Sequence, residues 1–333
     1  MIQYLISIFT IGALGAILCL GLNVRWGWSG DFDLAFYAMV AIGAYMGGVT
    51  VLPKSALTGG SGWILGLNQN FFVGALVAIA ATSLVSLVLG WIALRRLRGD
   101  YLGITTVAFS LIITAVFTQE QGLFNGFNGL YSIPSPFADQ FDAFTYPLVF
   151  LIILLVALAI VYTVLELLYR SPWGLGLRIV REDEIAAAAF GRNVFKAKLT
   201  AYVLGGAVAG LGGFLFANYL TAWNPATWNT IEVFILYSAI FLGGSANQIG
   251  VLLGAAVVLI AVPEGTRFLP NIPGHPDLFP AVRGMISGLL ILLVLRFRPQ
   301  GLVPERRPRD LLRRRRPVAA ANVTSGPGDG QRG

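Results

Sequence analysis

Long runs of apolar residues, separated by short polar stretches, make up most of the chain. Each run is close to the length of about 20 residues at which an α-helix crosses the roughly 30 Å of bilayer hydrocarbon. The pattern predicts an all-α, polytopic membrane bundle of about nine transmembrane helices, with eight to ten as the range. The predicted spans are 2–23, 33–52, 71–94, 102–119, 145–168, 198–221, 230–243, 249–264 and 281–296.

The amino-acid composition excludes a water-soluble globular protein. Only 12% of the 333 residues are Asp, Glu, Lys or Arg, 56% are hydrophobic, and the mean hydropathy is +0.75. A soluble domain carries about 25% charged residues, because its surface must face water. The composition therefore agrees with the apolar runs, and residues 1–303 are predicted to form a transmembrane domain in the lipid bilayer.

Basic residues gather in a few segments. Residues 296–316 contain nine arginines and two acids, which accounts for the formal net charge of +7. Further basic groups lie in 95–98 and 170–198, whereas 120–142 contains acids and no base. Because cytoplasmic loops are enriched in Lys and Arg, the basic segments and the C-terminus are expected in the cytoplasm. Residues 304–333 are predicted to be a basic, then disordered, cytoplasmic tail, and no nucleic-acid partner is expected because the rest of the chain is balanced in charge.

Side chains that support catalysis or metal binding are scarce. The chain has a single cysteine, Cys19, and a single histidine, His275, so it has neither the thiolates of a zinc site nor an internal disulfide. The Gly-Lys pair of a phosphate-binding loop is missing as well, so any ATP would be hydrolysed by another chain. The sequence thus predicts a protein that is not an enzyme, with no catalytic residues, no metal site and no cofactor of its own.

The basic segment 170–198 contains the pattern of a short helix. Acids at 182–184 precede four alanines, and Gly191 follows them. Acids favour the N-terminal end of a helix and glycine its stop, so the pattern predicts a helix over 182–190. A helix of about two turns is too short to be stable alone in water, so we expect it to dock on another protein. A solvated hairpin between two spans is the alternative.

The same segment carries a resemblance to a known family. Residues 171–199, SPWGLGLRIVREDEIAAAAFGRNVFKAKL, resemble the loop of LivM-like permease subunits of branched-chain amino acid ABC importers, in which a segment of the form REDExAAxAxGxN couples to an ATPase. Three more segments are similar to the family in the same order: LRGDYLGITTVAFSLII at 97–113, NGFNGLYSIP at 125–134 and FLGGSANQIGVLLGAA at 241–256.

The resemblance implies a type II-like ABC importer permease in the bacterial cytoplasmic (inner) membrane. It implies a second homologous permease subunit, two ATPase subunits that bind the ATP, and a soluble substrate-binding protein as partners. The helix over 182–190 would insert into a groove of one ATPase. The implied ATPase-coupling residues are Arg181, Glu182, Asp183, Glu184, Ala186, Ala187, Gly191 and Asn193.

Residues that could line a translocation pathway are harder to choose. Phe36 stands where the family commonly has histidine, and the stretch from Asn125 to Leu130 lacks the family's proline. Glu232 is one of the few acids close to hydrocarbon, although an interfacial side chain that reaches water is the alternative. For the polar residues, a role in helix packing or in a turn is the alternative. The candidate pathway residues are Phe36, Tyr45, Asn125, Asn128, Asn218, Tyr219 and Glu232.

Two other functions stay open. An importer of the same architecture for urea or short amides would resemble this family equally well. A stand-alone secondary carrier would need no ATPase, but it would usually show ionisable residues within its spans for ion coupling, and few are visible here.

Overall fold

A computed structural model describes residues 2–53, 66–96, 99–225 and 232–267, separate positions between 282 and 297, and residues 300–304. Twelve α-helices account for most of the described residues, which confirms the all-α prediction. They are α1 (Ile2–Asn23), α2 (Phe36–Val51), α3 (Phe71–Arg96), α4 (Gly99–Gln119), α5 (Gln121–Phe124), α6 (Tyr146–Arg170), α7 (Pro172–Glu182), α8 (Glu184–Ala189), α9 (Val194–Leu220), α10 (Glu232–Gly243), α11 (Gln248–Ala256) and α12 (Val262–Arg267).

Two π-helical segments, two short 3-10 helices (Gly126–Asn128 and Ala138–Gln140) and one small sheet complete the described fold. Val24–Trp28 continues α1, and Val257–Ala261 joins α11 to α12, so each forms one longer helical rod. The strands β1 (Leu130–Tyr131) and β2 (Ala222–Trp223) pair antiparallel, with Leu130 opposite Trp223.

Six helical segments of the described residues are long and apolar enough to cross a membrane, and α2 and α10 are shorter apolar helices. These eight coincide with the first eight predicted spans, which supports the predicted helical membrane bundle. The ninth predicted span, 281–296, lies largely outside the described residues, as does the predicted tail beyond Pro304.

Helices α2, α3 and α9 pack tightly at the centre of the bundle. Glycines allow their backbones to approach: a Cβ on Gly43 of α2 would collide with the backbone of Gly210 on α9, and a Cβ on Gly213 would collide with the Val40 carbonyl oxygen. Such close contacts replace the hydrophobic driving force that helices lack in lipid. The spacing of small residues along α2 and α9 is therefore a packing feature of the core.

The chain divides its polar loops between two ends of the bundle. At one end, here called the loop end, lies the segment 171–193 between α6 and α9, together with the segment 24–35 between α1 and α2. At the other end, here called the hairpin end, lie β1 and β2, where the Ile133 N–H donates to the Thr221 carbonyl at 3.0 Å.

Candidate functional site

The segment 171–193 at the loop end folds into two short helices rather than one. Ser171 caps α7, where its hydroxyl accepts a hydrogen bond from the Gly174 N–H, and Pro172 occupies the first turn, where a missing N–H costs nothing. Helix α7 ends at Glu182. The prediction of a single helix over 182–190 is therefore wrong at its start, since Glu182 belongs to the preceding helix.

Asp183 causes the break. Its backbone is extended, with φ of −154°, and its carboxylate accepts hydrogen bonds from the N–H groups of Ile185 and Ala186, both at 2.9 Å. An aspartate that binds the next free N–H groups in this way favours the cap over continuation of the helix. Asp183 is thus the N-cap of α8, and Glu184 is its first helical residue.

The C-terminal end of α8 is fixed equally firmly. Gly191 has φ of +76°, its N–H donates to the Ala188 carbonyl at 2.9 Å, and the Arg192 N–H donates to the Ala187 carbonyl at 3.0 Å. These two hydrogen bonds form a Schellman motif, which requires a left-handed residue at this position. The predicted stop at Gly191 is confirmed. Two residues later, Asn193 accepts a hydrogen bond from the Lys196 N–H at 2.9 Å and caps α9.

The exposed side chains of α8 differ from the expected ones. Ala187 has 0% of its surface exposed, so it faces its own chain and cannot enter a partner's groove. Ile185 and Phe190 are instead 84% and 85% exposed. The predicted coupling residues do not include either side chain, because the prediction is based on the alanine run. The available signal was that Ile185 and Phe190 are the large apolar residues on either side of that run.

A lysine connects α8 to the interior of the bundle. Lys198 Nζ lies 2.5 Å from Glu184 Oε1 and 2.8 Å from Asp31 Oδ1. Asp31 is buried, and its second carboxylate oxygen lies 2.7 Å from the Ser29 hydroxyl. Burial raises the pKa of Asp31, which the Lys198 ammonium opposes. The Lys198 ammonium therefore holds the 24–35 segment and α8 together.

A second contact joins the same two segments. The Arg181 guanidinium, at the end of α7, donates to the Gly27 carbonyl. Of the predicted coupling residues, Arg181 and Glu184 thus contact the 24–35 segment directly or through Lys198. Glu182 is exposed at the end of α7, and Ala186 lies partly buried in α8.

The 24–35 segment in turn contains a buried ion pair. Arg25 and Asp33 pair through Nη1 and Oδ2, with 0% of either side chain exposed. Arg25 also donates to the Ser86 hydroxyl at 2.9 Å and to the Tyr202 carbonyl at 3.1 Å. A buried charge is stable only with such a full set of partners. Arg25, which lies between the predicted spans 2–23 and 33–52, is therefore part of the bundle core.

Two more helices are tied to the 24–35 segment by hydrogen bonds. The Tyr237 hydroxyl on α10 accepts from the Asp33 N–H at 2.9 Å, and Thr106 Oγ1 on α4 accepts from the Leu34 N–H at 3.1 Å. Asn23 Oδ1, at the end of α1, accepts from the Ala246 N–H at 3.0 Å. The 24–35 segment thus connects α8 and α9 with α3, α4 and α10.

The predicted pathway residues do not come together in one site. Phe36 and Tyr45 lie fully buried, and the Tyr45 ring stacks on Phe117 with ring centroids 4.1 Å apart. Asn218 is buried and donates to the Phe214 carbonyl of its own helix at 2.8 Å. These positions serve the core of the single chain.

The remaining pathway candidates lie towards the hairpin end or on α10. Asn125 is left-handed and donates to the Gly129 carbonyl at 2.9 Å, so it stabilises the turn that also contains Asn128. Tyr219 stacks on Phe150, with ring centroids 5.9 Å apart. Glu232 borders a cavity between α1, α2, α9 and α10.

The described residues contain no group of three or more His, Cys, Asp or Glu side chains that could hold a metal ion. Cys19 is buried in α1. The described residues at the loop end therefore provide hydrogen bonds, ion pairs and exposed apolar side chains.

Comparisons with known proteins point in one direction. Residues 4–295 match the family described as branched-chain amino acid transport system / permease component. The chain is 30% identical to the high-affinity branched-chain amino acid transport system permease protein LivM of Salmonella typhimurium, over 91% of this chain and 71% of the relative. It is 28% identical to a probable LivM of Methanocaldococcus jannaschii, over 87% and 90%, and 22% identical to LivH of Escherichia coli, over 91% and 95%. No solved structure matches.

Proposed function

The chain belongs to the branched-chain amino acid transport permease family, and from this membership we propose that it is the membrane subunit of an ABC importer that carries branched-chain amino acids into the cytoplasm. In this proposal ATP is bound and hydrolysed by two separate ATPase subunits. A soluble substrate-binding protein delivers the amino acid to the hairpin end.

A second homologous permease is the proposed partner within the membrane. Its support is that relatives named LivM and relatives named LivH both match this chain over most of its length. Two such chains of similar fold would form the pathway between them, so each subunit supplies half of its wall.

The proposed orientation places the loop end and the C-terminus in the cytoplasm, in the inner membrane. The basic residues of 170–198 and 296–316 support it, because short cytoplasmic loops are enriched in Lys and Arg. The ATPases would then meet the segment 171–193.

The observation that carries the coupling role is the exposure of Ile185 and Phe190. Large apolar side chains outside the membrane spans normally mark a contact surface when they protrude from ordered structure. Here α8 is fixed by a cap at each end and by Lys198, so the two side chains are held in place. We infer that they enter an apolar groove of an ATPase subunit.

Movement of α8 would reach the membrane helices through two contacts. One is the Lys198 bridge from Glu184 to Asp31, and the other is the hydrogen bond from Arg181 to Gly27. Because the 24–35 segment also binds α3, α4, α9 and α10, displacement of α8 would shift these helices together.

The experiment measures co-purification of the ATPase subunits with the tagged permease. We expect Ile185→Asp and Phe190→Asp to insert normally and to lower ATPase recovery by about tenfold, because each buries a charge in an apolar contact. Phe127→Asp is the matched control, since Phe127 is a 70% exposed aromatic residue near the hairpin end. Wild-type recovery in both α8 variants would remove the coupling role and favour a stand-alone carrier. Uptake of urea or short amides by the wild-type complex would identify the other substrate class.

A further inference from the structure

An apolar cavity of about 120 Å³ lies between α1, α2, α9, α10 and the π-helical segment after α11. Tyr37 and Glu232 are its polar residues, and the Tyr37 hydroxyl donates to Glu232 Oε2 at 3.4 Å. The aliphatic side chains that line it are Ile11, Leu14, Leu18, Ile235, Leu236 and Leu259. Phe216 is the remaining apolar side chain of the lining, so one carboxylate lies at the edge of an otherwise mainly aliphatic space.

The cavity lies deep in the membrane domain. It is lined by Leu14, Gly15 and Leu18, at and just past the midpoint of the helical rod Ile2–Trp28. The length of α10 agrees with this depth. Just after α10, the Ala246 N–H donates to Asn23 at the end of α1, which places this end of α10 at the loop end. Glu232, at the opposite end of α10, lies about 16 Å from Gly243 at about 1.5 Å per residue. Glu232 thus lies level with the middle of the rod Ile2–Trp28, although it is the first residue of α10.

A carboxylate at this depth is costly against lipid, and acids within membrane spans normally face a water-filled path or a partner. Glu232 remains exposed on the surface of the single chain. As the first residue of α10, the Glu232 carboxylate is also stabilised by the helix dipole, but this stabilisation does not explain the cavity beside it. The cavity beside the carboxylate is therefore a candidate ligand site.

We propose that this cavity binds an aliphatic α-amino acid during its passage, with the branched side chain in the apolar space and the α-ammonium group paired with the Glu232 carboxylate. The Tyr37 hydroxyl orients that carboxylate. The inference rests on the proposed function and adds a binding site to it. An apolar cavity of about 150 Å³ holds benzene, so about 120 Å³ suits a four-carbon side chain better than an aromatic one.

The site is built for weak binding. It offers one charged contact and an apolar surface, without the several converging polar groups of a high-affinity pocket. A transport site must release what it binds, so modest affinity agrees with a position within the membrane.

The test uses the full importer, with ATPase and binding protein, in proteoliposomes. Glu232→Gln should lower leucine uptake by about tenfold or more, since the charge-assisted contact is lost, while ATP hydrolysis stimulated by the loaded binding protein stays close to wild type. Glu232→Asp should retain part of the uptake. Ile235→Trp, which fills the cavity without changing charge, should have the effect of Glu232→Gln.

Two control variants match these changes outside the cavity. Glu264→Gln removes an acid that also pairs with a tyrosine, Tyr4. Leu253→Trp adds the same indole at a 47% exposed position of α11 that does not line the cavity. Both should retain wild-type uptake.

The outcomes separate the site from the proposed function. Wild-type uptake in Glu232→Gln and Ile235→Trp would overturn the site alone. The site would also be overturned if Glu232→Gln no longer co-purified with the second permease, or lost stimulated hydrolysis together with uptake. Glu232 would then be a residue needed for assembly. If the wild-type complex imports no leucine, isoleucine or valine, the proposed function fails and the site fails with it.

Discussion

Arg25 and Asp33 form an ion pair that is completely removed from solvent, eight residues apart in the chain and enclosed by α3 and α9. The pair closes the turn between α1 and α2 on itself. At the same time, the remaining guanidinium nitrogens reach Ser86 and the Tyr202 carbonyl. The turn is thereby anchored to two of the three central helices.

Removing one partner of this pair should destabilise the protein strongly. Arg25→Met leaves the Asp33 carboxylate buried without its counter-charge, and Asp33→Asn leaves the guanidinium in the same state, which costs about 3–5 kcal/mol. We expect each variant to lower the thermal unfolding temperature in detergent. The double variant should unfold at a higher temperature than the sum of the two losses implies, since no lone charge remains. Additive losses would show that the pair does not interact as described.

The contact between α2 and α9 gives a second prediction. Gly213→Val places a Cβ against the Val40 carbonyl oxygen, a backbone atom that cannot move aside. Overpacking costs about 1–3 kcal/mol, and a backbone collision belongs at the upper end of that range. We expect poor folding and low yield in fluorescence-detected size-exclusion chromatography. Gly265→Val is the control, because nothing lies within 4 Å of its added Cβ; equal yields of the two variants would contradict the packing described here.

The membrane helices were predictable because each apolar run is long enough to indicate a membrane-spanning helix without information from the rest of the chain. The first eight predicted spans agree with observed helices to within a few residues, and α10 was recognised although it has only 12 residues. Local chemistry also predicted the stop at Gly191, since a left-handed backbone after a run of alanines favours glycine.

The contacts between distant residues could not be predicted in the same way. Tyr37 and Glu232 are 195 positions apart, and no local pattern relates them. Asp31 and Asp33 precede a membrane helix, where charges usually reach water, so their burial depends on Lys198 and Arg25 being brought to them by the fold. The exposed side chains of α8 likewise follow from how α8 packs on its own chain, which the alanine run alone does not determine.

The caps of α8 can be tested independently of transport. Asp183→Ala removes the acceptor for two N–H groups and should cost about 1 kcal/mol of local stability. The measurement is hydrogen exchange of residues 184–190 in the purified protein, where protection should fall about fivefold for that loss. Glu182→Ala serves as the control, because Glu182 makes no cap of α8. Equal protection in both variants would mean that the cap does not hold the helix.

Gly191 tests the other end of the same helix. Its added Cβ would meet nothing within 4 Å, so any effect of substitution comes from the backbone, whose φ is +76°. Gly191→Val should therefore weaken protection of residues 184–190 by about 1–2 kcal/mol, whereas Gly191→Asn should be milder, because asparagine visits the left-handed region more readily. The opposite order would exclude backbone strain as the cause.

The environment of Asp31 predicts a pH dependence of stability. Burial raises its pKa above 3.8 in the folded protein, and Lys198→Met removes the charge that opposes this rise. A raised carboxyl pKa gives stability that is present below the unfolded pKa and is lost as pH rises through the folded pKa. We expect the unfolding temperature of Lys198→Met, relative to wild type, to fall from about pH 4 to pH 8. A pH-independent difference would show that Lys198 does not lower the pKa of Asp31 in the folded protein.

Lys198 also provides the sharpest test of transmission from α8 to the membrane helices. It is the side chain that contacts both Glu184 on α8 and Asp31 in the 24–35 segment. Lys198→Met should leave Ile185 and Phe190 exposed, so the proposed ATPase subunits should still bind, but the proposed movement of α8 should reach the bundle less effectively. We expect the ratio of stimulated to basal ATP hydrolysis in nanodiscs to fall by about fivefold, the change expected for loss of about 1 kcal/mol of coupling.

Two variants make this prediction specific to the bridge. Lys196→Met removes the same charge two residues earlier, at an exposed position with no ion pair to the described residues, and should leave the ratio unchanged. Lys198→Arg keeps a cation within reach of both carboxylates and should restore part of the ratio. If Lys196→Met and Lys198→Met lower the ratio equally, the effect belongs to the basic surface as a whole, because the loss then does not depend on contact with Asp31 and Glu184.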